Sequence, residues 1–211
     1  MRVLIPLFDR FTALDAVGPY EVLSRLPGAQ VTFVASAVGP CRTDTGSLAI
    51  VADASFEDAD TGDILVVPGG PGSRAAATDV SLLEWVRRIA AGSTWTTSVC
   101  TGADVLGAAG LLRGLEATTH WSATERLASY GATYSARRVV VQGKVVTAAG
   151  VSAGIDMALM LAGLVAGEDI AKAIQLAIEY DPQPPFDSGS LSKASADTVE
   201  LVRRVIAARK P

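Results

Sequence analysis

The chain has 211 residues, with 18 Lys and Arg against 22 Asp and Glu, a formal charge of −4 and a single histidine. That length suits one domain able to bury its own core, and an acidic balance argues against nucleic acid as a partner, since phosphate contact needs a basic face. Two cysteines far apart and one imidazole leave no set of metal ligands in recognisable spacing, so neither a metal nor a disulfide staple is expected.

The elements are taken in chain order. Val3 to Phe8 is an apolar run that reads as a buried first strand, too short for a secretory leader. A helix is expected over Pro19 to Leu26, with proline in its first turn and Pro27-Gly28 after it. Val31 to Ala35 is a second strand. Arg42 to Ala52 looks like a hairpin turning at Thr45-Gly46-Ser47, and Cys41 before it reads as structural. Ile64 to Val67 is a third strand and Trp95 to Val99 a fourth.

Between these two strands Ser81 to Ala91 places Leu82, Leu83, Val86 and Ile89 on one helical stripe. Ala103 to Leu112 is apolar nearly all round and should be a buried helix. Arg138 to Thr147 is a second hairpin, turning at Gln142-Gly143-Lys144. Ser152 to Ala166 is an apolar helix with Ser152 as candidate cap, too short to cross a bilayer from Ile155 onward. Asp181 to Ser190 is a proline-rich loop, and Thr198 to Ala208 a more polar terminal helix. Buried strands separated by helical crossovers describe an α/β fold: one doubly wound parallel sheet, covered on both faces, in a single domain over residues 1–211. Ligands of such a sheet bind at the carboxyl ends of its strands. With no leader or membrane span expected, the cytoplasm is the default location.

Three features gather at that edge. In Ser98-Val99-Cys100-Thr101-Gly102-Ala103 a strand ends on a cysteine and a glycine turn opens a helix, the arrangement of a nucleophile elbow. An isolated cysteine is more often a small buried hydrophobe, but this position favours a nucleophile. The start of the helix is expected to lower the thiol pKa and favour the thiolate. In Leu14-Asp15-Ala16-Val17-Gly18-Pro19, Asp15 follows the first strand among apolar neighbours. It is either a helix cap or a desolvated carboxyl able to act as general acid and base. Val67-Pro68-Gly69-Gly70 follows the third strand, where Gly69 and Gly70 either form a plain turn or aim backbone N–H groups at developing negative charge. His120 is the only imidazole, so any cysteine–histidine pair must use it; a lone histidine is more often a satisfied structural group, and the sequence leaves open whether it reaches Cys100.

Together with Ala117-Thr118-Thr119-His120-Trp121 and Ala149-Gly150-Val151-Ser152-Ala153-Gly154-Ile155-Asp156, these segments resemble the ThiJ/PfpI superfamily, and within it the isocyanide (isonitrile) hydratases. The resemblance implies a flavodoxin-like fold, usually a homodimer. It also implies Cys100 as nucleophile, Asp15 as acid/base, and Thr101 as a hydrogen-bonding partner near the thiol. The implied activity is a hydro-lyase reaction, hydration of a small isocyanide to an N-substituted formamide through a covalent thioimidate, with no cofactor. Peptidase-like and amidotransferase-like members carry histidine after the cysteine, where this chain has Thr101; glyoxalase-like members carry glutamate where it has Asp15. The same motifs occur in the sensor half of AraC-type regulators, so a non-catalytic small-molecule or redox sensor is the alternative. A terminal helix ending near Pro211 is too little for a helix-turn-helix reader.

Overall fold

The computed structural model describes Met1 to Ala208. In chain order its elements are β1 (Arg2–Pro6), α1 (Ala13–Leu23), β2 (Gln30–Ala35), β3 (Gly39–Arg42), β4 (Ala49–Ala52), β5 (Ala54–Ser55), β6 (Ile64–Val67), α2 (Ser73–Ala76), α3 (Val80–Gly92), β7 (Trp95–Val99), α4 (Gly102–Ala108), β8 (Glu116–Ala117), α5 (Thr124–Ser129), β9 (Thr133–Tyr134), β10 (Val139–Gln142), β11 (Val145–Ala148), α6 (Ala153–Ala166), α7 (Glu168–Ala177) and α8 (Ala196–Ala208).

Among the described residues seven strands form the main sheet, in the order β10-β11-β7-β6-β1-β2-β5. Every neighbouring pair is parallel except β10–β11. The inner five strands, taken in chain order, follow the 2-1-3-4-5 arrangement of flavodoxin-like sheets. The order reverses between β1 and β6, so the loops after those strands diverge and leave a crevice. The second hairpin of the sequence is therefore part of this sheet: β11 is the fifth of the inner strands and β10 the antiparallel edge. Alternation explains the two cores. Ile64 and Val66 of β6 pack on one side with Val3, Ile5 and Met157, while Leu65 and Val67 pack on the other with Trp85, Val86 and Leu106.

The helix expected from Pro19 instead begins at Ala13, with Pro19 inside it. Proline there removes the N–H that would bond the Asp15 carbonyl. Tight packing compensates: α1 crosses α6 at small residues, and a Cβ on Gly154 would lie 3.3 Å from Pro19 and 3.1 Å from Val99. Burial of this crossing outweighs local propensity. The α4 helix stops at Ala108, short of the expected Leu112. Gly110 takes a left-handed φ of 82°, and the Leu111 and Gly110 amides bond back to Leu106 and Gly107 in a Schellman closure. Ser152 precedes α6 without capping it; its hydroxyl accepts from Arg138 at 3.2 Å. The short elements α2, α5, β5, β8 and β9, and the α7 helix, have no counterpart among the expected elements.

The described residues fall into two compact units, Met1–Ile178 and the segment from Glu179 onward. The second contains the proline-rich loop and α8, whose Leu201, Val202, Val205 and Ile206 are exposed. No helix among the described residues is long and apolar enough to cross a membrane.

Candidate active site

Three strand ends build the site. Asp15 lies in the first turn of α1, just beyond β1, and is fully buried. Its Oδ2 accepts the Gly69 N–H at 2.9 Å from the loop after β6. Among the described residues Oδ1 has no hydrogen-bond partner. The Asp15 carboxyl and the Cys100 thiol nevertheless lie close enough to bias each other's protons. Burial raises the Asp15 pKa to about 7, helped by the charge of Asp44 and opposed by the Gly69 amide and the thiol. The capping reading of Asp15 is not what its bonds show, since its carboxylate accepts from Gly69 and not from its own helix.

Cys100 sits at the tip of the turn between β7 and α4. It is a non-glycine residue with a left-handed φ of 57°, and it is 5% exposed. Its N–H is shared between the carbonyls of Ala148 (3.1 Å) and Ala149 (2.8 Å), at the end of β11. The Thr101 N–H approaches the sulfur and favours the thiolate, but burial and the neighbouring Asp15 charge outweigh it and push the thiol well above its usual range. The expected lowering by the helix start is therefore overturned. A short helix of two turns does not offset removal of the sulfur from water.

Thr101 is buried, and its hydroxyl both accepts the Gly70 N–H (2.8 Å) and donates to the Gly70 carbonyl (3.1 Å). The amides of Gly69 and Gly70 are thus engaged with Asp15 and Thr101 instead of standing open toward a developing charge. The close seam needs glycine: a Cβ at Gly69 would come within 2.4 Å of the Thr101 nitrogen. The five residues expected at the site, Asp15, Gly69, Gly70, Cys100 and Thr101, are all brought together.

His120 does not join them through its Nδ1, which bonds Ser122 Oγ at 2.8 Å and caps the turn Trp121–Ala123. Burial, then the charge of Arg126, lowers its pKa and keeps the ring neutral. The residue before it was missed. Thr119, buried, donates its hydroxyl to the Cys100 carbonyl at 2.9 Å. Nothing in its sequence context but its place in the Thr118-Thr119-His120 motif singles it out. Asp104, in the first turn of α4, is also buried; it pairs with Arg126 at 2.9 Å and accepts from Ser73 at 3.2 Å. Among the described residues no group of three or more His, Cys, Asp or Glu side chains is placed to hold a metal ion.

Residues 1–163 match the model of the DJ-1/PfpI family. The chain belongs to that family. It is 44% identical over 198 residues to an isonitrile hydratase of Pseudomonas putida, covering 94% of this chain and 86% of that one. The crystal structure of a ThiJ/PfpI family protein from Pseudomonas syringae superposes with a TM-score of 0.94 at 38% identity, over 98% of this chain and 86% of the other. An HTH-type transcriptional regulator of Pseudomonas aeruginosa, CdhR, is 29% identical over 80% of this chain and 51% of its own length.

Proposed function

We propose that the protein hydrates a small isocyanide, R–NC, to the formamide R–NH–CHO, with Cys100 as nucleophile and Asp15 as the group that moves protons. The observation that carries the reading is a buried carboxyl with no cationic partner among the described residues, raised to about 7, set against a buried thiol. Two such groups share one proton near neutral pH, so nucleophile and acid are present at once. The isonitrile hydratase relative supports isocyanide as the substrate class.

The sulfur attacks the terminal carbon of the isocyanide, and the shared proton passes to that carbon as the C–S bond forms. The product is the thioimidate R–N=CH–S–Cys100. Asp15, now a carboxylate, takes a proton from water as the water oxygen adds to the carbon, and delivers it to nitrogen. The C–S bond then breaks as the new hydroxyl becomes a carbonyl. Its proton returns to the Asp15–Cys100 pair. Every atom is accounted for by R–NC plus water, and no electron is gained or lost. Gly69 holds the acid in place and Thr101 ties the two glycine-loop groups to the elbow. We read the protein as a homodimeric cytoplasmic hydro-lyase acting on a small molecule, with no nucleic-acid partner.

The test is direct. Purified protein is mixed with an alkyl isocyanide and formamide is followed by mass spectrometry. Turnover by the wild type and its loss in Cys100→Ala are expected. A wild type that releases no formamide, or a Cys100→Ala variant as fast as wild type, removes the reading. The match to CdhR favours one other outcome, saturable isocyanide binding without turnover, which would mark a sensor.

A further inference from the structure

We propose that Thr119 is a positioning residue for the nucleophile, its hydroxyl pinning the peptide unit between Cys100 and Thr101 and so setting the donor that faces the sulfur. The inference rests on Cys100 being the reacting thiol. A left-handed backbone is disfavoured for any residue with a Cβ, and it persists only where the surroundings over-determine it. At Cys100 they do so from both sides. Its N–H is held by the Ala148 and Ala149 carbonyls, and its own carbonyl by the Thr119 hydroxyl at 2.9 Å.

The segment carrying Thr119 is itself anchored. The Thr118 N–H donates to Thr147 Oγ1 at 2.9 Å, and Thr147 belongs to β11, the strand beside β7. The same strand therefore supports the elbow twice, directly through its end carbonyls and indirectly through Thr118 and Thr119. A peptide unit is planar, so a bond to its oxygen also directs its N–H. The oxygen is that of Cys100; the N–H is that of Thr101, which approaches the Cys100 sulfur. A hydroxyl donating to the oxygen polarises the unit and makes that N–H the stronger donor. The effect reaches the sulfur through the backbone, with no contact between Thr119 and substrate required.

The test compares wild type with Thr119→Val, which keeps the shape and removes the donor, and Thr119→Ser, which keeps the donor. Alkylation of Cys100 by iodoacetamide is measured across a pH series, alongside kcat for an alkyl isocyanide. Thr119→Val is expected to alkylate about five- to tenfold more slowly at pH 8, with its pH midpoint moved up. Its kcat should fall in parallel while KM changes little. Thr119→Ser should return to within about twofold of wild type. Should Thr119→Val not fold, Thr119→Ala removes the same donor and takes its place. A donor-less variant that alkylates like wild type overturns the assignment, as does a serine variant as slow as valine. If alkylation follows the expected pattern but the wild type turns over no isocyanide, Thr119 keeps its role and the hydratase reading falls. If turnover is present and alkylation ignores Thr119, the reverse holds.

Discussion

Asp15 and Asp104 are two buried carboxyls, each in the first turn of a helix that begins at the carboxyl edge of the sheet, and they are treated in opposite ways. Asp104 has a cation at 2.9 Å and a serine hydroxyl; Asp15 has one backbone amide and a thiol. In both, burial raises the pKa; at Asp104 the charge of Arg126 offsets part of that rise, while at Asp15 the nearby charge of Asp44 adds to it. A paired carboxylate keeps its charge and stabilises structure. An unpaired one exchanges its proton near neutrality. On the proposed mechanism the contrast separates a structural acid from a reactive one at the same edge of the sheet.

The sharpest way to break the comparison is Asp15→Asn, which should lower kcat/KM about 100- to 10,000-fold while the protein folds. The same variant should be more stable than wild type at high pH. Wild-type Asp15 holds its proton more tightly in the fold than in the unfolded chain, so stability drains away as pH rises from about 4 through about 7. Above that range the ionised, buried carboxylate costs about 4 kcal/mol, an order-of-magnitude figure from about 1.4 kcal/mol per pK unit. Urea unfolding at pH 8 should show the variant ahead, with the gap closing toward pH 4. A variant as active as wild type would reduce Asp15 to a packing residue.

Arg126→Leu tests the other carboxyl. It leaves Asp104 buried without its cation and should cost about 2–3 kcal/mol, below the usual value for a buried pair because Arg126 is about a quarter exposed. The loss should be greatest at high pH, where Asp104 is ionised, and Asp104→Asn in the same chain should recover part of it. Equal stability of Arg126→Leu and wild type would show that Asp104 needs no partner. For the wild type, kcat/KM should rise with pH through about 7 as the Asp15–Cys100 pair loses its first proton. The smallest effect is expected from Asp44→Asn. It removes the charge that lifts Asp15, so the rising limb should move slightly to lower pH; an upward move would contradict the assigned cause.

How much of this was legible beforehand follows from which interactions are local. The strands β1, β2, β6 and β7 are short apolar runs, and the elbow at Cys100 is a contiguous strand–cysteine–glycine–helix sequence, so both could be read directly. The start of α1 could not, because Pro19 signals a first turn locally, whereas the packing that overrides it comes from Gly154, far along the chain. The β10–β11 hairpin was legible as a hairpin but not as part of the main sheet, since its partner strand, β7, is remote in sequence. The raised thiol had the same origin: a helix start is visible in the sequence, but the burial that outweighs it is not. Thr119 and the Arg126 partner of Asp104 join loops and helices whose meeting depends on the whole fold, and no spacing rule points to either bond.

Gly154 of α6 packs against both the strand leading to Cys100 and the helix bearing Asp15, since a Cβ there would meet Val99 and Pro19. It works as a spacer of fixed thickness. A single methyl there would crowd both neighbours, so Val99, just before Cys100, or Pro19, in the helix of Asp15, would have to give by a few tenths of an ångström. Efforts to retune the protein toward larger substrates therefore have a natural division of labour. Segments farther from Asp15 and Cys100 are the places to vary, while Gly154 and the glycine loop after β6, where a Cβ at Gly69 would meet the Thr101 nitrogen, have to keep their size.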